Sequence, residues 1–290
     1  MRKLNLGVLI YTYNRVDDAK INMEIIRDIW AKSKLFSDIK IVHTYNGNKS
    51  WYPEKYLEDD LVVIKNSGHF QGAAELIDAG MYRFKSKYKN IDYVIVMASD
   101  TWNIKPKYIY NIIKQIKEKS LYLATCAWGV HGRNDIKEVG MAVDFFILDL
   151  KWANKNKMFP INYKAFYNKF SDLFLYQKGG NVYLEKLLFS KYFKAIYHEF
   201  QNNVQFRDYA LQKLFLLKDR EPVHSHIDSH DFWIRKKYWP KMGLITHHEP
   251  QPKKEILKKY KITKGKNIQK LLNNDNLDYF NNIRIYNSNQ

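Results

Sequence analysis

Thr12-Tyr13-Asn14-Arg15 closes an apolar run near the start of the chain and sets a hydroxyl, an aromatic ring, an amide and a guanidinium side by side. Similar polar strings close three later apolar runs: Tyr45-Asn46-Gly47, Asn66-Ser67-Gly68-His69 and Ser99-Asp100-Thr101. Together they offer what a nucleoside diphosphate needs. Amides and a ring suit the base, main-chain N–H groups and Arg15 suit phosphate, and Asp100 suits a divalent ion. Taken alone, Asp100 also reads as a turn residue capping a strand end.

Two further groups of polar residues stand out. Asp144 interrupts the apolar stretch Met141 to Leu148, and a carboxylate inside such a strand must be paired or functional to repay its desolvation. Five of the nine histidines, His224, His226, His230, His247 and His248, fall within 25 residues. On a strand, His224, His226 and Asp228 would share one face and could bind a metal, which leaves open a metal-dependent hydrolase or phosphoesterase. Histidines so spaced are more often hydrogen-bonded side chains.

The elements that must position these residues alternate. Leu4 to Thr12 reads as a strand buried on both faces, and Asp17 to Ala31 as a helix with apolar residues at spacings of three and four. Strands follow at Ile39 to Thr44 and Leu61 to Lys65, a helix at Gly72 to Phe84, and a strand at Tyr93 to Ala98. A helix from Pro106 to Glu118 starts on proline, where the missing N–H costs nothing, and Leu121 to Cys126 is the next strand. This β/α alternation predicts a mostly parallel sheet flanked by helices, with ligands at the carboxyl ends of its strands. Past residue 128 the periodicity loosens to a strand at Met141 to Leu148 and a helix at Val182 to Tyr192. Trp128, Trp152, Trp233, Tyr238 and Trp239 either line a sugar groove or, the commoner fate, fill a core.

The order of these motifs resembles the family 2 glycosyltransferases and their GT-A relatives, whose first strand ends in a Thr-Tyr-Asn-Arg-like string. In that family a base-contacting acid or amide follows, then Asn-x-Gly before a helix rich in small residues, then a strand running into Asp-x-Asp. Here the matching residues are Thr12 to Arg15, Asn46, Asn66 and Gly68 before Gly72-Ala73-Ala74, and Ala98-Ser99-Asp100. The resemblance covers about residues 4 to 150. It departs at Asn46, where an acid is usual, and at Ala98, which replaces the first carboxylate of the metal motif.

The resemblance implies a GT-A fold and a donor site of Thr12, Tyr13, Asn14, Arg15, Asn46, Gly68, Gln71, Ser99 and Asp100. It implies a Mn²⁺ or Mg²⁺ ion on Asp100, completed by His247 or His248 in place of Ala98, that neutralises charge on the departing nucleotide. Glu185, after Gly179-Gly180, matches the position where relatives carry the catalytic base, and Asp144 is the other candidate. The implied activity is hexosyl transfer from a UDP- or GDP-type sugar to a hydroxyl of a glycan, lipid-linked or cell-surface acceptor, with inversion favoured.

Composition bounds these readings. The 290 residues, 46% of them apolar, are enough for one α/β domain. They divide into a nucleotide-sugar half (1–128), an acceptor half (129–252) and a basic appendage (253–290). The single cysteine, Cys126, excludes an intramolecular disulfide and fits a cytoplasmic protein. The net charge of +18 attracts polyanions of any kind, so a basic nucleic-acid-binding protein is a further alternative, less favoured than a nucleotide-sugar enzyme. Lys253 to Lys270, with eight lysines and one acid, reads as an amphipathic segment lying on an anionic membrane surface or as a solvated helix.

Overall fold

The computed structural model describes residues 4–52, 54–129, 139–165, 184–197, 199–200, 205–217, 235–239, 241–248 and 284–285. The first apolar run forms β1 (Leu4–Thr12). On one side β1 pairs in parallel with β2 (Phe36–Tyr45), and β2 with β3 (Asp60–Val63). On the other side it pairs in parallel with β4 (Tyr93–Ala98). A short β5 (Thr101–Asn103) follows β4. The main sheet continues through β6 (Leu123–Gly129), β7 (Val139–Asp149) and β8 (Leu214–Leu216). Its order is β3-β2-β1-β4-β7-β6-β8, with β7 antiparallel to both neighbours and the remaining pairs parallel. The α/β class and the mostly parallel sheet expected from the alternation are therefore present.

Helices cover both faces. On one lie α1 (Val16–Ile25) and α3 (Pro106–Glu118), over Leu6, Val8, Ile10 and Ile95. On the other lie α2 (His69–Lys87), α4 (Leu150–Lys155) and α5 (Leu184–Tyr197), over Leu9, Val42, Val96 and Phe146, with α6 (Phe206–Gln212) leading into β8. In α3, Ile109, Ile112, Ile113 and Ile116 recur at helical spacing and are all buried. Each stabilises the fold by about 1.5–3 kcal/mol. Because β1 has a helical layer on either face, its even and odd residues are both apolar.

The structure departs from the sequence pattern at two places. The helix expected to run from Asp17 to Ala31 is α-helical only to Ile25; a π-helical turn, Ile26–Trp30, follows. Trp30 is fully buried and donates its Nε1–H to the carbonyl of Asn103 at 2.8 Å, a contact that the tertiary packing supplies. A second sheet, ordered β11-β9-β10-β5, joins β5 to β9 (Arg235–Trp239), β10 (Leu244–His248) and β11 (Arg284–Ile285). These strands carry little alternation, and β11 shows that the chain beyond 253 returns to the fold. Trp152 and Trp239 are buried in the two cores and do not line a groove. Among the described residues no helix is long and apolar enough to cross a membrane.

Candidate functional site at the β1/β4 switch point

From β1 the chain steps one way through β2 to β3 and returns on the other side as β4. The crevice outside the carboxyl ends of β1 and β4 is thus the topological switch point, where open α/β sheets bind ligands. Main-chain bonds tie the rim together. The Thr12 carbonyl accepts from the Asn46 N–H (3.2 Å), and the Tyr11 carbonyl from the Ser99 N–H (3.2 Å). Thr12 is buried, its Oγ1 3.0 Å from Nε2 of the buried His43. Burial takes the His43 pKa down to about 3, so the ring is neutral at physiological pH. Tyr13 leaves half its surface exposed at the rim.

Two glycines bring the loops close. A Cβ at Gly47 would run into the Tyr13 carbonyl and the Tyr45 hydroxyl, so only glycine lets the end of β2 lie against the end of β1. A Cβ at Gly72 would lie 2.9 Å from Asn46 Nδ2 and 3.0 Å from Asn66 Oδ1, so the first turn of α2 abuts both amides. Asn66 Oδ1 also accepts from the N–H of Gly68, which enters α2 at φ 101°. Asn46 Oδ1 is buried with no hydrogen-bond partner among the described residues, an acceptor that a ligand donor would satisfy. Gln71 gives its amide to Glu75, one turn further along α2 (2.7 Å).

Arg15 occupies the centre of the crevice and bridges two carboxylates. Its Nε lies 3.3 Å from Asp100 Oδ2 and its Nη1 3.2 Å from Asp18 Oδ2. Asp18 is wholly buried in the first turn of α1, and Asp100 is nearly so. The backbone around Asp100 is held from α1. Trp102 Nε1–H is shared by the carbonyls of Asp18 (3.2 Å) and Ser99 (3.1 Å), and Asn22 Nδ2 donates to the Thr101 carbonyl (2.8 Å). Asp100 thus sits at the corner where β4 leaves the main sheet and β5 enters the second. The last paired couple between β10 and β5 is Thr246 and Thr101. One residue further along the two strands stand His247 and Asp100.

Asp144 and Glu185 meet on the other face. The β4/β7 register ends at Met97 and Phe145, and one further step sets Asp144 opposite Ala98, beside the crevice. The Tyr11 hydroxyl donates to the neighbouring Val143 carbonyl (3.3 Å), fixing this part of β7 to the end of β1. Glu185 lies in the first turn of α5, which packs on β7. It is 4% exposed, and burial, reinforced by the negative charge of Asp144, pushes its pKa up to about 7. The two residues considered separately as candidate bases therefore form one interacting pair.

Among the described residues no group of three or more histidines, cysteines or carboxylates could hold a metal ion. Asp100, the carboxylate expected to hold one, is instead ion-paired with Arg15. The alternative cluster of His224, His226 and Asp228 lies outside the described residues, as does Lys253 to Lys270. His43, Asp18 and Asn22 were missed by sequence reasoning. The available signal was a polar residue at a core position: His43 within an apolar strand, Asp18 and Asn22 on the inner face of α1.

No protein-family model matches the chain. No curated protein sequence matches it. Among solved structures it is similar to a crystal structure of an active-site mutant of LgtC, with a TM-score of 0.40 and 9% sequence identity. The match covers 64% of this chain and 69% of that one. A likeness of that size says nothing about activity.

Proposed function

We propose that the protein transfers a sugar from a nucleoside diphosphate sugar of UDP or GDP type to a hydroxyl of a glycan, lipid-linked or cell-surface acceptor. One observation carries this reading. Four polar strand ends, far apart in sequence, converge at the switch point with an Arg15–Asp100 ion pair at their centre and a buried carboxylate pair beside them. The half-exposed Tyr13 ring and the open acceptor of Asn46 suit the base. The Arg15 guanidinium and the N-terminus of α1 suit the diphosphate.

Asp100 and His247 would hold a Mn²⁺ or Mg²⁺ ion. Such an ion, when bound, supplies positive charge against the departing nucleoside diphosphate. The chain's own residues do the rest. Arg15 orients the diphosphate, and the Asp144/Glu185 pair takes the proton of the acceptor hydroxyl as its oxygen attacks the anomeric carbon and the bond to the diphosphate oxygen breaks. A single displacement of this kind inverts configuration. The site of action is cytoplasmic, with the Lys253 to Lys270 segment drawn to the anionic face of a membrane.

Thermal-shift measurements with UDP, GDP and their sugar conjugates, with and without Mn²⁺, test the reading. At least one nucleotide should raise the melting temperature in a Mn²⁺-dependent way, and Asp100→Ala should abolish the Mn²⁺ dependence. Absence of any nucleotide response, or an unchanged response in Asp100→Ala, refutes the proposal.

A further inference from the structure

A cleft of about 530 Å³ lies at the end of the main sheet away from the crevice, and its size is that of a small-ligand site. There β1 starts at Leu4, β4 starts at Tyr93, and β7 ends at Asp149, the residue paired with Tyr93. The nine residues of β1 separate it from the crevice by about 25–30 Å. Four lysines converge on it from separate places: Lys85 in the last turn of α2, Lys89 in the loop before β4, Lys117 in the last turn of α3 and Lys151 in the first turn of α4. All four are exposed, and none makes a direct ion pair among the described residues. The two carboxylates of the cleft are committed to main-chain donors. Asp92 Oδ2 accepts from the Asn5 N–H (2.9 Å), and Asp149 Oδ1 caps α4 by accepting from the Trp152 N–H (2.8 Å). Burial holds the Asp149 carboxyl above the usual range, and the charge of Lys151 opposes this only in part.

Helix dipoles account for only half of this positive charge. Lys85 and Lys117 stand at helix carboxyl ends, where a cation is favoured, but Lys151 stands at the amino end of α4, where it is not, and Lys89 belongs to no helix. We infer that the cleft is a second binding site, separate from the donor crevice, for a small phosphorylated molecule with more than one anionic group. Ammonium groups spread around a rim, rather than gathered at one point, suit anionic groups that are themselves separated, and each lysine binds phosphate as a point charge. Between the lysines, buried Leu4, Ile91 and Leu150 and the rings of Tyr88 and Tyr93 offer a surface that suits an organic body better than a bare ion. Burial, reinforced by the charges of Asp149 and Asp92, pushes the Tyr93 pKa up to about 12, so its hydroxyl keeps its proton and can donate to the ligand. The net charge of +18 draws anions to the whole surface, and the cleft gives one of them a defined place.

Calorimetric titration of the full chain with fructose 1,6-bisphosphate, beside inorganic phosphate at the same ionic strength, tests the site. Wild-type protein should bind the bisphosphate saturably and at least about tenfold more tightly than inorganic phosphate. The variant Lys85→Gln/Lys89→Gln/Lys117→Gln/Lys151→Gln should lose at least about tenfold in affinity for the bisphosphate. A control of equal net charge, Lys32→Gln/Lys107→Gln/Lys164→Gln/Lys194→Gln, removes exposed lysines from elsewhere on the surface and should bind as wild type does. Circular dichroism confirms that both variants fold, as exchange of exposed side chains allows. The inference is overturned if wild type shows no saturable binding, if inorganic phosphate binds as tightly as the bisphosphate, or if the two variants lose affinity equally, which would reduce the effect to net charge.

Discussion

At the scale of single residues, the site combines groups whose protonation the fold has displaced in opposite directions. The folded Glu185 keeps its proton up to about pH 7, against 4.5 for an unperturbed glutamate carboxyl. Its folded pKa is raised, so its contribution to stability is greatest below pH 4.5 and is lost as pH climbs to about 7. Glu185→Gln should therefore gain stability over wild type at pH 8 relative to pH 4.5, by on the order of 2–3 kcal/mol in urea titrations. The opposite holds for His43, whose pKa falls from 6.5 to about 3. Its contribution is full above pH 6.5 and is lost as pH falls toward 3, so at pH 5 it costs about 2 kcal/mol. In wild type the two partly cancel between pH 7 and 5. The His43→Asn variant should show a smaller loss on acidification than wild type, and Glu185→Gln a larger one. In catalysis, replacing the pair by Asp144→Asn/Glu185→Gln should lower the transfer rate by roughly 10² to 10⁴-fold, the usual yield of a general base. Asp144→Asn alone should move the alkaline-favouring limb of the pH–rate profile to lower pH, because the charge that helps raise Glu185 is gone.

At the scale of elements, the crevice depends on how closely strand ends and helix starts approach. Gly47→Ala would push a methyl into the Tyr13 carbonyl, a main-chain atom that cannot swing aside. It should weaken nucleotide binding at least about tenfold, with a smaller loss of stability, as read by calorimetry with UDP or GDP and by thermal melting; nucleotide affinity equal to wild type would contradict the placement of the base beside Asn46. A second tie holds the opposite layer. From the middle of α2, Asp78 accepts the backbone N–H groups of Ile161 (2.5 Å) and Asn162 (3.0 Å), securing the turn after α4 against α2. Asp78→Ala should cost about 1–3 kcal/mol in urea unfolding, since the buried Ile161 N–H loses a charged acceptor while the exposed Asn162 N–H can return to water.

At the scale of the whole molecule, the two halves inferred from the loss of periodicity past residue 128 are not separable bodies. Strand β7 comes from the second half yet lies between β4 and β6 of the first, and β10 from the far C-terminal part pairs with β5 next to Asp100. One sheet cannot unfold in the first half and persist in the second. Urea unfolding of the main domain should thus be a single transition, with tryptophan fluorescence and far-ultraviolet circular dichroism superimposing, and a chain cut between 128 and 129 should not yield two folded fragments. Two separated transitions would contradict this.

The β/α alternation, the boundaries of β1, β4 and α3, and the polar strings at the strand ends were legible because each rests on local rules: apolar period, a proline start, polar residues where a strand stops. So was Asp144 as a candidate, since a carboxylate in an apolar strand is visible without coordinates, whereas Glu185 entered only through the resemblance. Their pairing was not, because it depends on α5 packing across β7, a contact between segments about 40 residues apart. Nor was the Arg15–Asp100 bond, which needs parallel pairing of β1 with β4 to bring residues 85 apart in sequence to 3.3 Å. The antiparallel sense of β7, the short β5 and the second sheet also lie beyond local pattern, for strands so short are specified by their neighbours more than by their own residues. The sequence by itself determined which residues could do chemistry and at which strand ends they would stand. Tertiary structure decided which of them touch, because charges separated in sequence acquire partners, and displaced pKa values, only when the sheet is assembled.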